Sequence, residues 1–111
     1  MNKDRTLLTD EQWERLSPRL PGHKHAPGMT ARDTRRFIEA VLWRTRCGVS
    51  WRDLPTEQFG PWHTVYTRYR RWCKTGVWQR VLSQVQEEKT LHRLLADSTA
   101  ACARLLVVNA N

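Results

Sequence analysis

FGPWHTVYTRYRRWCKTGVW, residues 59–78, separates into two faces when it is wound as a helix opening at Pro61. At about 3.6 residues per turn, Trp62, Val65, Tyr66, Tyr69, Trp72 and Cys73 share one side, and Thr64, Thr67, Arg68, Arg70, Arg71 and Lys74 lie elsewhere. The first set packs; the second carries concentrated positive charge. Pro61 suits the first helical position, and Thr75-Gly76 stops the helix after Lys74. An element divided in this way docks on a small core and presents a cationic surface to an anionic polymer.

Immediately upstream, Ser50-Trp51-Arg52-Asp53-Leu54-Pro55 predicts one or two helical turns capped by Ser50 and ended by Pro55, with Thr56 to Gly60 as a turn. A short helix, a tight connection and a longer basic helix is the order of a helix-turn-helix. Downstream, Trp78, Val81, Leu82 and Val85 recur at i, i+3, i+4 and i+7, which predicts a further amphipathic helix closing the core.

Toward the N-terminus, Leu8-Thr9-Asp10-Glu11-Gln12-Trp13 is a helix start. Thr9 and Gln12 form a capping box, the acids complement the positive helix end, and Leu8 staples onto Trp13. Pro18 and Pro21-Gly22 close this helix, and residues 17–28 read as an irregular loop. Thr30 then caps a helix reaching about Cys47, with Gly48 as its left-handed terminus. Ala31, Thr34, Phe37, Ile38, Val41, Leu42 and Thr45 form its core arc; Arg32, Arg35, Arg36, Glu39, Trp43 and Arg46 form its outer one. Trp43 is read as covered by a neighbouring helix.

The formal charge is +8, and it is concentrated. Thr30 to Lys74 holds ten Lys/Arg against four acids, nine of the ten being arginine, whose planar fork suits phosphate and guanine edges. Nucleic acid is therefore the leading partner. The odd, widely spaced Cys47, Cys73 and Cys102 suit neither a disulfide framework nor a zinc site, and Cys47 and Cys73 read as small buried residues. His23, His25, His63 and His92 have no ligand-like spacing, so no metal site is expected. Without a secretion signal or an apolar run of about 18 residues, the chain reads as a soluble intracellular protein with no membrane contact.

The fold class expected is all-α: a small helical bundle with a helix-turn-helix over residues 1–89, then a short strand-like or disordered tail over 90–111. In that tail LHRLLADST is a strand candidate, and the apolar Leu105 to Val108 has no evident place to pack.

LTDEQWERLSPRLP, GVSWRDLP, FGPWHTVYTRYRRWCKTGVWQRVL and Asp97-Ser98-Thr99 together resemble the N-terminal region of bacterial insertion-sequence transposases of the DDE type, in that family's order and approximate spacing from Leu8 to Thr99. The resemblance implies a helical domain that recognises terminal inverted repeats of double-stranded DNA, followed by an RNase H-like domain. Asp97 aligns with the first catalytic aspartate, at the end of that domain's first strand. Beyond it the family supplies a second Asp and a Glu, and the three acids bind two Mg²⁺ ions. Here AACARLLVVNAN replaces the family's basic run, as in either the first product of a two-frame gene or a frameshifted remnant. On its own the chain is expected to lack strand-transfer activity and to need no cofactor.

The expected DNA contacts are His63, Thr64, Thr67, Arg68 and Arg71 toward bases or phosphates, with Arg70, Lys74, Arg32, Arg35 and Arg36 anchoring phosphates. The location implied is cytoplasmic, at the nucleoid. The competing reading is a protein-interaction module that regulates full-length transposase by mixed assembly or forms homo-oligomers, with Trp43, Trp78 and Leu105 to Val108 as contact candidates.

Overall fold

Thr9 opens the first helix as its sequence predicts: Gln12 N donates to Thr9 Oγ1 at 3.1 Å and Thr9 N donates to Gln12 Oε1 at 3.0 Å. This reciprocal cap satisfies two otherwise orphaned donors. The computed structural model describes residues 8–20 and 31–110, with side chains for 8–20 and 33–104. The elements are α1 (Asp10–Leu16), a 3-10 turn (Ser17–Arg19), α2 (Ala31–Cys47), a 3-10 turn (Trp51–Asp53), α3 (Thr56–Phe59), α4 (Trp62–Lys74), α5 (Val77–Gln84) and α6 (Lys89–Ala110). The fold is all-α. The Thr30 cap, the loop holding His23 and His25, and the Arg32 side chain lie outside the described residues, as do the side chains from Leu105 to Val108.

Leu16, Ile38, Val41, Tyr69, Trp72, Trp78, Val81, Leu91 and Leu95 form one buried core, with Leu8 and Val85 also fully enclosed. Aromatic rings fill its centre. Phe37 of α2 meets Trp72 of α4 edge-on with centroids 5.1 Å apart, and Trp78 of α5 lies 5.1 Å from Trp72 and 5.7 Å from Tyr69. The polar tips are also satisfied: Trp78 Nε1 donates to the Tyr69 carbonyl at 3.3 Å, and the Tyr69 hydroxyl donates to the Ser98 carbonyl at 2.9 Å. Large rings enclose much area per residue, which suits so short a chain.

Two junctions differ from the expected reading. Thr56 to Phe59 is a complete helical turn, α3, packed against α2 and α4, where a plain turn was expected. Phe59 supplies the reason, since its burial against Trp43, centroids 6.0 Å apart, fixes the segment. Pro61 caps α4 from just outside, one position earlier than expected. By contrast, Gly76 sits as predicted between α4 and α5, at φ 77°, a conformation that side chains with a Cβ rarely adopt.

The strand expected before Asp97 is not formed; Lys89–Ala110 is one helix. Leu91, Leu95, Ser98 and Cys102 recur on one face and bury it against α2, α4 and α5. Thr45 Oγ1 and Ser98 Oγ share a hydrogen bond of 2.9 Å, which ties this helix to α2. The cysteine reading is also corrected. Cys73 is buried as expected, but it is joined by a disulfide to Cys102, closing a separation of 29 residues between α4 and α6. Cys47 is free and exposed at the end of α2.

Candidate nucleic-acid interface

Helix α4 buries Val65, Tyr69, Trp72 and Cys73, which turns His63, Thr64, Thr67, Arg71 and Lys74 outward, all exposed. His63, Thr67 and Lys74 stack along one line of the helix, with Thr64 and Arg71 in the row beside them. Half-buried arginines bound this arc, Arg70 on one flank and Arg68 on the other. Among the described residues Arg15 pairs with Glu88, and Arg35 with Asp10 and Glu39, and none of these pairs involves a side chain of α4.

Not every arginine expected at the surface faces outward. Arg68 lies with its guanidinium carbon 4.4 Å from the Phe37 centroid and 5.2 Å from that of Trp72, while Nη2 donates to Thr34 Oγ1 at 3.3 Å. Burial is the main cause lowering its pKa, with Asp33 opposing the shift and Arg71 adding to it; the group stays protonated. Arg68 therefore wedges α2 against α4. Arg35 is engaged in a similar way, bonding Asp10 at 2.8 Å, Glu39 at 3.4 Å and the Leu8 carbonyl at 2.8 Å, which pins the N-terminal segment to α2.

Arg36 is exposed, and its Nη2 passes beside Gly60 at the entry to α4, 3.5 Å from where a Cβ would stand. Together with Thr64 and Arg68 it lines a cleft of about 270 Å³ between α2 and α4. The structure thus brings Arg36, Thr64 and Arg68 to one edge of the α4 arc and leaves Arg35 outside it.

Sequence reasoning did not single out Arg52. Its guanidinium lies 5.2 Å from the Trp62 centroid, and Trp62 in turn stacks on His63 with centroids 3.9 Å apart. This cation–ring–ring stack forms the N-terminal end of the arc. Arg52 precedes Trp62 by ten positions across two turns, so no helical period joins the two. Trp51, Trp62 and Tyr66 are half-buried, and Tyr69 and Trp72 are buried, in keeping with their reading as packing residues. Trp43 is half-buried against Phe59. Trp78, offered as a protein-contact candidate, is 1 % exposed and belongs to the core instead.

Asp97 is exposed on α6 rather than at a strand end. It lines one cleft with Arg44 and Arg104 and a second with Arg46 and Arg93. No group of three or more His, Cys, Asp or Glu able to hold a metal ion occurs among the described residues. Four guanidinium groups around one carboxylate do not fit a divalent cation. The resemblance to a two-metal site therefore does not extend to the surroundings of Asp97 in this chain.

The fold and surface define a basic, all-helical domain with an exposed cationic helix face. Residues 8–82 match the family described as "Putative transposase of IS4/5 family (DUF4096)", and the chain belongs to that family. It is 39 % identical over 92 residues to "Uncharacterized protein y4sN" of Sinorhizobium fredii, covering 83 % of this chain and 73 % of that one. It is 34 % identical over 80 residues to "Insertion element IS402 uncharacterized 16.2 kDa protein" of Burkholderia cepacia, covering 68 % of this chain and 54 % of that protein. No solved structure matches. The chain's role is accordingly transposase-related, and no helix among the described residues is long and apolar enough to cross a membrane.

Proposed function

We propose that this domain binds duplex DNA sequence-specifically at the terminal inverted repeats of an insertion element, with α4 as its recognition helix. The observation that carries this reading is the exposed arc of His63, Thr64, Thr67, Arg71 and Lys74, backed by a buried aromatic face and engaged by none of the ion pairs among the described residues. A helix about 13 residues long with such an arc fits the major groove, where Arg71 can address guanine and His63, Thr64 and Thr67 can address neighbouring edges. Lys74, at the end of the arc, and Arg70 and Arg36, beside it, hold phosphates. In this reading α3, Gly60-Pro61 and α4 act as a helix-turn-helix, with α3 bracing α4 against α2.

Strand transfer is not assigned to this polypeptide alone. That chemistry needs several carboxylates converging on divalent ions, and Asp97 stands among arginines. Fluorescence anisotropy with element ends and scrambled duplex, across a salt series, tests the binding reading. A preference for the ends, with an affinity that falls steeply as salt rises, is expected. Equal affinity for both duplexes with a flat salt response refutes it.

A further inference from the structure

The seam between the C-terminal half of α2 and the middle of α6 holds four arginines around Asp97. Arg44 and Arg104 line a cleft of about 370 Å³ on one side of it, and Arg46 and Arg93 line one of about 250 Å³ on the other. Asp97 lines both clefts, yet among the described residues it forms no ion pair with any of these arginines. Four cationic groups and one anionic group leave a clear positive surplus.

Arg44 is the most constrained of the four. Its guanidinium lies 4.5 Å from the Trp51 centroid, and its buried Nε has no acceptor among the described residues. Burial lowers its pKa first, and the nearby Arg104 adds to that shift against the opposing influence of Tyr69. Packing against Trp51 holds Arg44 in place close to a like charge.

Guanidinium pairs on either side of a carboxylate match an extended anion better than a compact one. A single phosphate would fill one cleft, whereas two adjacent clefts suit successive phosphates of a backbone. The seam also lies apart from the α4 arc. Helix α6 packs on the buried face of α4, through the Cys73–Cys102 bond and the Tyr69 bond to Ser98, whereas His63, Thr67 and Lys74 lie on its exposed face.

We propose that the α2–α6 seam is a second nucleic-acid surface, which holds the phosphate backbone of a separate DNA segment while α4 reads the first. The proposal rests on the reading of α4 given above. One domain then bridges two duplexes, and Asp97 acts as a brake on the second contact, because its charge repels phosphate.

The test is capture of a fluorescent random duplex by the full chain bound to an immobilised end-containing duplex. Anisotropy on the end duplex alone is measured in parallel and reports α4 separately. The double variant Arg93→Gln/Arg104→Gln changes exposed side chains and is checked by circular dichroism. It should lose at least about tenfold in second-duplex capture while end affinity stays within about twofold, and the salt slope of capture should fall by about two. Asp97→Asn should raise capture. Arg71→Ala/Lys74→Ala should do the reverse of the double variant, weakening end binding while random-duplex capture by chain immobilised directly persists.

Wild-type chain that captures no second duplex, or a double variant that captures it undiminished, overturns the proposal. So does light scattering that finds a DNA-free dimer abolished by the double variant, because the seam is then a protein contact. Loss of end preference with capture intact refutes the reading of α4 instead.

Discussion

Arg68 and Arg71 stand three positions apart on α4 and do different work. Arg68 is half-buried over two rings and bonded to Thr34, so Arg68→Ala removes ring contacts and a hydrogen bond inside the α2–α4 joint. A loss of about 1–2 kcal/mol of stability is expected, read from the urea midpoint. Arg71 is exposed, so Arg71→Ala should move stability by less than about 0.5 kcal/mol and cost about 1–3 kcal/mol of binding at one base position. The opposite pattern would exchange the two roles. Glu39 offers a pH test at the same scale. Burial raises its pKa above the ordinary 4.5, outweighing the neighbouring Arg35. Between 4.5 and the raised folded value the native state binds more protons than the unfolded one, so stability falls as pH rises through that window. Glu39→Gln should flatten this slope, measured by thermal melting from acid to neutral pH. An unchanged slope would remove Glu39 as its source.

Helix α6 depends on what it packs against. The disulfide from Cys73 to Cys102 bolts its middle to α4 and closes a 29-residue separation. By loop-closure entropy, Cys73→Ser/Cys102→Ser should lose about 3–4 kcal/mol, read as a lower urea midpoint that reductant no longer changes. A variant as stable as the parent would mean that the bond adds nothing to the packing of Leu91 and Leu95. The same helix marks where the sequence was hardest to read. The elements α1, α2, α4 and α5 announce themselves through a capping box, amphipathic faces and glycine stops, each a local signal. In α6 the spacing of Leu91, Leu95, Ser98 and Cys102 is helical, but the short apolar run before Asp97 also suits a strand, and the competition is settled by tertiary contacts with α2, α4 and α5. For the surface, the outward arc of α4 followed from periodicity alone. The inward turn of Arg68, the engagement of Arg35, and the gathering of Arg44, Arg46, Arg93 and Arg104 depend on partners far along the chain. Arg93, Asp97 and Arg104 share a helical face at i, i+4 and i+11, a signal that is legible only once the segment is read as helix.

At the scale of the whole molecule, the charge of +8 acts on folding and on binding with opposite sign. The ion pairs of Arg15 with Glu88 and of Arg35 with Asp10 and Glu39 lie on the side of the domain where α1 meets α2 and the start of α6. These pairs do not engage the cations of α4 or of the α2–α6 seam, which at low ionic strength repel one another across a body whose radius of gyration is 13.4 Å. That distance exceeds the screening length of roughly 10 Å at 0.1 M salt but not the roughly 30 Å at 0.01 M. Adding salt should therefore raise the melting temperature of the free protein over this range, since it screens more repulsion than attraction. The same addition should weaken DNA binding, because released counterions drive association. Both responses can be followed in one buffer series, by thermal melting without DNA and anisotropy with it. If melting temperature falls with salt, the pairs of Arg35 outweigh the repulsion and the cationic surfaces are less crowded than their residues imply. If it rises while affinity falls, the unneutralised charge that destabilises the free domain is the same charge that its anionic partner satisfies.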